Sequence, residues 1–177
     1  MNITYTPLAG CFVIEPQIFG DTRGSFMETY NKQKFPADVH FVQDNQSTSQ
    51  KGVLRGLHFQ KGDHSQAKLV RVIKGEVLDV AVDIRPDSTT FGQHFSIVLN
   101  DKNNKQLFVP RGFAHGFIVL KDDTIFAYKC DNFYNKESES GIIYNDPDIA
   151  IDWMLSEDEI LLSDKDKILP NLKTLTL

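Results

Sequence analysis

The sequence predicts an all-β protein, an antiparallel sandwich or barrel, on three observations. Apolar and polar residues alternate in short runs, as they do along strands with one buried face. Turn signals separate those runs at short intervals: Gly20-Asp21, Lys51-Gly52, Lys74-Gly75, Arg85-Pro86-Asp87 and Lys121-Asp122-Asp123. Helical periodicity is confined to two short stretches, which disfavours βαβ units.

Strands are predicted over residues 11–15, 25–30, 41–47, 53–60, 67–73, 77–84, 94–99, 106–109, 115–120 and 124–133. The clearest is 77–84, where Leu78, Val80, Val82 and Ile84 form a wholly apolar face and Val77, Asp79, Ala81 and Asp83 the other. That pattern predicts a half-buried strand. Short helices are predicted at 30–35 and 156–162. Ser156-x-x-Glu159 and Ser163-x-x-Asp166 both have the shape of a capping box or a near relative, so two starts stay open for a C-terminal helix. No repeat, low-complexity tract or linker interrupts the chain, and its 177 residues predict one domain spanning 1–177.

The composition, 41% hydrophobic and 24% charged, is that of a globular protein. No apolar run approaches the roughly eighteen residues that a membrane span needs, so no membrane partner is expected. The first ten residues lack the basic and apolar regions of an export signal, and the cytoplasm is the expected location. Cys11 and Cys130 are the two cysteines, far apart, which argues against a disulfide framework and a cysteine-rich zinc site. A net charge of -5 argues against a nucleic-acid partner. Asp and Glu crowd into 146–166, whereas Arg55, Lys68, Arg71 and Lys74 make a more basic middle. An anion site suited to a nucleoside diphosphate fits there.

The segment Val53-Leu54-Arg55-Gly56-Leu57-His58-Phe59-Gln60 places three polar side chains on a strand otherwise suited to burial, with His58 and Gln60 on one face by parity. One histidine in such a strand is more often a hydrogen-bonded core residue than a catalyst. Each unpaired buried polar group costs about 1 to 3 kcal/mol, however, so a run of them points to a lined pocket. Lys68 shares a face with Val70 and Val72, one hairpin beyond His58; alone it reads as a solvated strand-edge lysine. Tyr128 and Tyr134 share parity with Phe126 and Cys130, which alone reads as an aromatic core stripe.

Pro110-x-Gly112-x-x-His115 has the shape that supplies a histidine ligand in metal cupins. The partner motif of those proteins, His-x-His followed by Glu, is replaced by His58 with His64 six residues on, which makes no compact ligand set. No metal is therefore expected. Leu161-Leu162-Ser163-Asp164-Lys165-Asp166 reads by itself as an acidic solvated loop.

Together these segments resemble the dTDP-4-dehydrorhamnose 3,5-epimerase family over nearly the whole chain. The likeness runs through Phe19-Gly20-Asp21-Thr22-Arg23-Gly24, Phe41-Val42-Gln43-Asp44-Asn45, residues 53–60, Lys68-Leu69-Val70-Arg71, Gly75-Glu76-Val77, Val80-Ala81-Val82-Asp83-Ile84-Arg85, Phe113-Ala114-His115-Gly116-Phe117, Tyr128-Lys129 and residues 163–166. The resemblance implies a cupin-type jelly-roll barrel with a few short helices. It also implies a homodimer acting on dTDP-4-dehydro-6-deoxy-D-glucose without metal or redox cofactor. It assigns His58 as general base, Asp166 as the carboxylate that orients it, Tyr128 as proton donor on the opposite face of the sugar, and Lys68 as the cation at the enolate oxygen. Arg23, Glu28, Gln43, Asp44, Asn45, Arg55, His115, Glu139 and Lys165 fall where the family contacts nucleotide or sugar, and Tyr134 where it stacks on thymine. Around Glu139 the order Glu137-Ser138-Glu139-Ser140-Gly141 departs from the family's, leaving Glu137 as an alternative.

Those residue types suit the chemistry. A C–H bond beside a ketone yields to a base only when the growing enolate charge is met by a fixed cation. Histidine is matched to neutral pH, and a carboxylate on its second nitrogen holds the tautomer. Inversion requires a separate acid on the far face. Alternative readings are an epimerase of C3 or C5 alone, a ketoisomerase of a related dTDP-sugar, a non-catalytic sugar-nucleotide-binding cupin and a metal-dependent cupin oxygenase.

Overall fold

The computed structural model describes residues 1–175. Among these, thirteen strands form: β1 Asn2–Tyr5, β2 Phe12–Glu15, β3 Ile18–Asp21, β4 Gly24–Met27, β5 Gln43–Ser49, β6 Leu54–Gln60, β7 Lys68–Lys74, β8 Glu76–Asp83, β9 His94–Asn100, β10 Gln106–Val109, β11 Phe113–Val119, β12 Thr124–Cys130 and β13 Glu139–Gly141. A six-stranded sheet has the order β1-β2-β10-β7-β12-β5, and a five-stranded sheet the order β13-β6-β11-β8-β9. β3 and β4 pair only with each other. Every pairing within the sheets is antiparallel. The all-β class and the cupin-type barrel are as expected.

The two sheets close on a shared core. Val70, Val72, Leu107, Val109 and Phe126 of the six-stranded sheet meet Val77, Ala81, Phe117 and Val119 of the five-stranded one. Phe117 stacks on Phe126 with ring centroids 4.0 Å apart, tying β11 to β12 across the barrel. Each such side chain contributes about 1.5 to 3 kcal/mol on burial, so this packing fixes the spacing between the sheets.

Strand 77–84 differs from expectation in a way that matters for the site. β8 is buried on both faces, and Asp79 and Asp83 are inaccessible. The acids' face turns inward against the six-stranded sheet, and the apolar face is covered from far along the chain: Ile142, Ile149, Trp153 and Leu172 lie on the outer face of the five-stranded sheet, packing with Leu54, Leu57, Leu78, Val80, Val82 and Ile118. Asp146 pins that cover, since its Oδ1 accepts the backbone N–H of Asp148 and Ile149 and its Oδ2 that of Leu172, at 2.7 Å. What reads as a solvent face at 77–84 is the barrel interior.

Among the described residues, helices are confined to four three-residue 3-10 turns. The helix expected at 30–35 is irregular chain with a turn at 32–34. Tyr30, Phe35 and Phe41 pack edge-on with one another, and Phe35 reaches Phe108, so the aromatics cap part of the outer face of the six-stranded sheet. At 156–162 the capping signal is met locally, because Ser156 N and Oγ both donate to Glu159 Oε2. The helix stops after Glu157–Glu159 because Leu161 bridges to Val53 in extended form. The second signal starts the turn Asp166–Ile168, where Asp166 N donates to Ser163 Oγ. The strand expected at 25–30 is the shorter β4, and the one at 124–133 ends at Cys130. Strands β1, β3 and β13, four residues or fewer each, had no readable alternation.

An irregularity in β6 sets up the site. His115 of β11 is opposite His58, yet Phe117, two residues on, is opposite Arg55, three residues back. This bulge puts Arg55 and His58 on the same inner face, while Leu54 and Leu57 both point into the outer core. Gly56 sits at the bulge with φ +130°, and a Cβ there would lie 2.5 Å from Gly116 Cα and 2.9 Å from the His115 carbonyl oxygen. Only glycine permits that approach of β6 to β11.

A candidate active site between the sheets

A cavity of about 600 Å³ opens between the sheets. His58 and Arg55 of β6, His115 of β11, Lys68 of β7, Tyr128 of β12, Asn45 of β5 and the returning pair Lys165-Asp166 all line it. The residues expected to act as base, orienting acid, enolate cation and proton donor thus share one space, although 108 positions separate the first from the last.

The two sheets contribute different functions. His58 and His115 are direct neighbours across β6 and β11, on the five-stranded sheet. Tyr128 lies opposite Asn45 and Val70, and Lys68 opposite Cys130, on the six-stranded sheet. Lys68 and Tyr128 are therefore diagonal neighbours on one face, and a molecule in the cavity has the imidazoles on one side and the phenol and ammonium on the other.

Each histidine has its own carboxylate. His58 Nε2 is 2.5 Å from Asp166 Oδ1. Its side chain is 27% exposed and that of Asp166 4%, so the histidine faces the cavity and the acid stands behind it. With Nε2–H donated to the carboxylate, the lone pair belongs to Nδ1. Burial opposes ionisation of Asp166, but hydrogen bonds from His58 and Ser163 with the charges of His58 and Lys165 prevail and hold its pKa below the usual range. His115 Nε2 is 3.0 Å from both oxygens of the inaccessible Asp79.

The six-stranded side is tuned by burial. Desolvation lowers the pKa of Lys68, partly opposed by the negative charges of Asp79 and Glu139, and no carboxylate pairs with it among the described residues. Desolvation raises that of Tyr128, with the Arg55 charge acting the other way. Arg55 also donates to Ser49 Oγ at 3.2 Å. No three His, Cys, Asp or Glu side chains among the described residues come together as a metal site.

Polar contacts continue outward from the cavity. Gln43 donates to Asn45 Oδ1 and accepts the backbone N–H of Tyr134. Tyr134, half exposed, donates its hydroxyl to Glu139 Oε2, and Glu139 Oε1 is 2.5 Å from Lys165 Nζ. Glu137, the alternative to Glu139, is exposed and donates its backbone N–H to Asn135. Three expected contact residues are elsewhere in this chain. Asp44 has the opposite parity to Asn45 and pairs with Lys129 on the outer face of the sheet, at 2.8 Å. Arg23 is on the β3–β4 hairpin, bound to Asp21, and Glu28 just beyond it, bound to Lys34 and Asn31.

The family model for dTDP-4-dehydrorhamnose 3,5-epimerase matches residues 5–174. The chain belongs to that family. It is 51% identical over 166 residues to the dTDP-4-dehydrorhamnose 3,5-epimerase of Methanothermobacter thermautotrophicus, covering 92% of this chain and 89% of the relative. The crystal structure of the Elizabethkingia anophelis dTDP-4-dehydrorhamnose 3,5-epimerase superposes with a TM-score of 0.94 at 53% identity, covering 98% of this chain and 97% of that one. The dTDP-6-deoxy-D-glucose-3,5-epimerase of Legionella pneumophila, solved in complex with dTDP-4-keto-L-rhamnose, also gives 0.94, at 48% identity over 99% of this chain and 94% of that one.

In this dTDP-4-dehydrorhamnose 3,5-epimerase family member, sequence reasoning missed Asp79 and Ser49. Asp79 sits at an alternate position of β8 with Val77 and Ala81, both core residues. An acid interleaved with buried small residues is the available signal, on the face that a half-buried strand would leave outside the core. Ser49 lies two residues past the strand expected at 41–47, at the end of Gln43–Ser49, which is polar at every position and so marks no buried face.

Proposed function

We propose that the chain is an isomerase that converts dTDP-4-dehydro-6-deoxy-D-glucose to dTDP-4-dehydro-L-rhamnose, removing and returning protons at C3 and C5. The observation that carries this reading is the placement of His58 and Tyr128 on opposite sheets of one cavity, each beside the group its task requires.

His58 removes the proton beside the C4 ketone through Nδ1, and the positive charge that it gains is met by Asp166. The electron pair moves onto the C4 oxygen, where the Lys68 ammonium, unpaired with any carboxylate among the described residues, stabilises it. Tyr128, whose raised pKa keeps it protonated at neutral pH, gives a proton to the same carbon from the opposite face. The phenolate left behind is adjacent to the Arg55 charge and regains its proton from water, while the imidazolium loses one. Configuration is inverted at that carbon with no net change in oxidation state, and the sequence repeats at the second.

Two finer readings accompany this one. The β3–β4 hairpin exposes Phe19 and Phe26 and joins neither large sheet, and an isolated hairpin is at best marginally stable. A second copy of the chain covering the hairpin would bury those aromatics, which supports a homodimer; a monomer in sedimentation equilibrium would oppose it. A cytoplasmic location is supported by the free thiols of Cys11 and Cys130.

Incubation of the protein with dTDP-4-dehydro-6-deoxy-D-glucose in deuterium oxide tests the assignment. Deuterium at both C3 and C5 by NMR is expected, and label at one carbon or none contradicts it.

A further inference from the structure

The segment that carries Asp166 belongs to neither sheet. It leaves the barrel at Leu161, bridged to Val53, and returns at Pro170, whose carbonyl accepts the Ile143 N–H. Two polar side-chain links hold it to the sheets in between, His58 to Asp166 and Glu139 to Lys165. Glu139 stands on β13 opposite Gln60, and Gly141, two residues on, stands opposite His58. The same carboxylate receives the hydroxyl of Tyr134. Burial opposes ionisation of Glu139, yet the hydrogen bonds from Lys165 and Tyr134 hold its pKa below the usual range, so it is anionic at neutral pH. Both oxygens are thus engaged by the protein, one by an exposed aromatic residue and one by the immediate neighbour of Asp166.

We propose that Glu139 is a positioning residue that joins nucleotide binding to base orientation: through Lys165 it holds the Asp166 segment against His58, and through Tyr134 it makes that hold depend on whether a base lies on the tyrosine ring. The inference rests on the reading of Tyr134 as the thymine platform and Asp166 as the partner of His58. When the platform is filled, the hydroxyl and the carboxylate are fixed together, Lys165 is drawn to Oε1, and the Asp166 carboxylate is set square to the imidazole. With the platform empty the same contacts form, but the half-exposed Tyr134 has no base to restrain its ring, and the segment is held less firmly. A turnover-competent dyad is then assembled by the nucleotide, a part of the substrate that does not react.

Glu139→Gln tests this, because the amide still accepts from Tyr134 while the charge opposite Lys165 is gone. Full-length protein with nitrogen-15 histidine is titrated with dTDP, and the His58 Nε2–H resonance is followed. In the parent protein that resonance sharpens and shifts as dTDP binds. In Glu139→Gln, dTDP still binds by calorimetry, the His58 resonance no longer responds, and kcat falls about ten- to a hundredfold, more than KM rises. Lys165→Met silences the same resonance, and the double variant is no slower than the slower single one. The inference is overturned if the resonance responds equally in parent and Glu139→Gln, if it does not respond in the parent, or if Glu139→Gln raises KM and weakens dTDP while kcat stands, which would make Glu139 a direct substrate contact. The magnetic resonance readout does not depend on turnover. A parent protein that shows the response yet leaves the sugar unlabelled in deuterium oxide would refute the proposed reaction and spare the coupling.

Discussion

His58 Nε2 and Asp166 Oδ1 lie 2.5 Å apart, a contact between the strand that lines the cavity and a short turn 108 residues later. Because the acid is buried behind the imidazole, with Ser163 of its own turn as its other side-chain hydrogen-bond partner, its work is done through His58. Asp166→Asn should therefore lower kcat by about 10²-fold or more, within the range that general-base catalysis supplies, and leave dTDP affinity by calorimetry unchanged. Loss of affinity with kcat retained would show that Asp166 serves binding.

Lys68 gives a pH signature. Burial holds its pKa below the ordinary lysine value of about 10.4, while burial pushes Tyr128 above its usual one. The enolate needs the charged ammonium, so kcat should fall on the alkaline side at a pH below the ordinary lysine value, with Tyr128 still protonated. Arginine remains charged throughout this range. Lys68→Arg should move the alkaline limb of its residual activity upward, measured as kcat against pH; a limb at the same pH would assign it to another group.

Gly56 carries the geometry that puts Arg55 beside His58. Its φ of +130° and the 2.5 Å that a Cβ would have to Gly116 Cα leave alanine no room. Gly56→Ala should destabilise the protein by about 2 kcal/mol or more in urea unfolding, and what folds should lose activity beyond the loss of folded protein. Gly62, with φ +54° and open space at its Cβ position, serves as the control: alanine there should cost less and spare activity.

Much of this was legible from the residues. Alternation gave ten of the strand regions because apolar and polar side chains separate by face, and His58, Lys68, Tyr128 and Asp166 stood out once the family's segments were recognised. Parity failed where the backbone breaks its own period: across the Gly56 bulge, Arg55 and His58 share a face although three positions apart. Burial of Asp79 was invisible because its face of β8 turns into the barrel against the six-stranded sheet, while the apolar face of Leu78, Val80 and Val82 is taken by the C-terminal cover around Trp153. Tyr30 and Phe35 read as a helical turn because their packing is against Phe108 on a distant strand and not along one element. Glu139 could be placed near substrate, but that both its oxygens are held by Tyr134 and Lys165 is a property of the folded chain alone.

The central claim is that base and acid approach the sugar from opposite sheets, and Tyr128→Phe in deuterium oxide tests it most directly. With His58 and Lys68 intact, the variant should still exchange the protons beside the ketone, because an imidazolium that has exchanged with solvent returns deuterium to the face it came from. NMR should then find dTDP-4-dehydro-6-deoxy-D-glucose labelled at C3 and C5 with its configuration retained, and no dTDP-4-dehydro-L-rhamnose. Inversion at the parent rate, or loss of exchange together with inversion, would contradict the account.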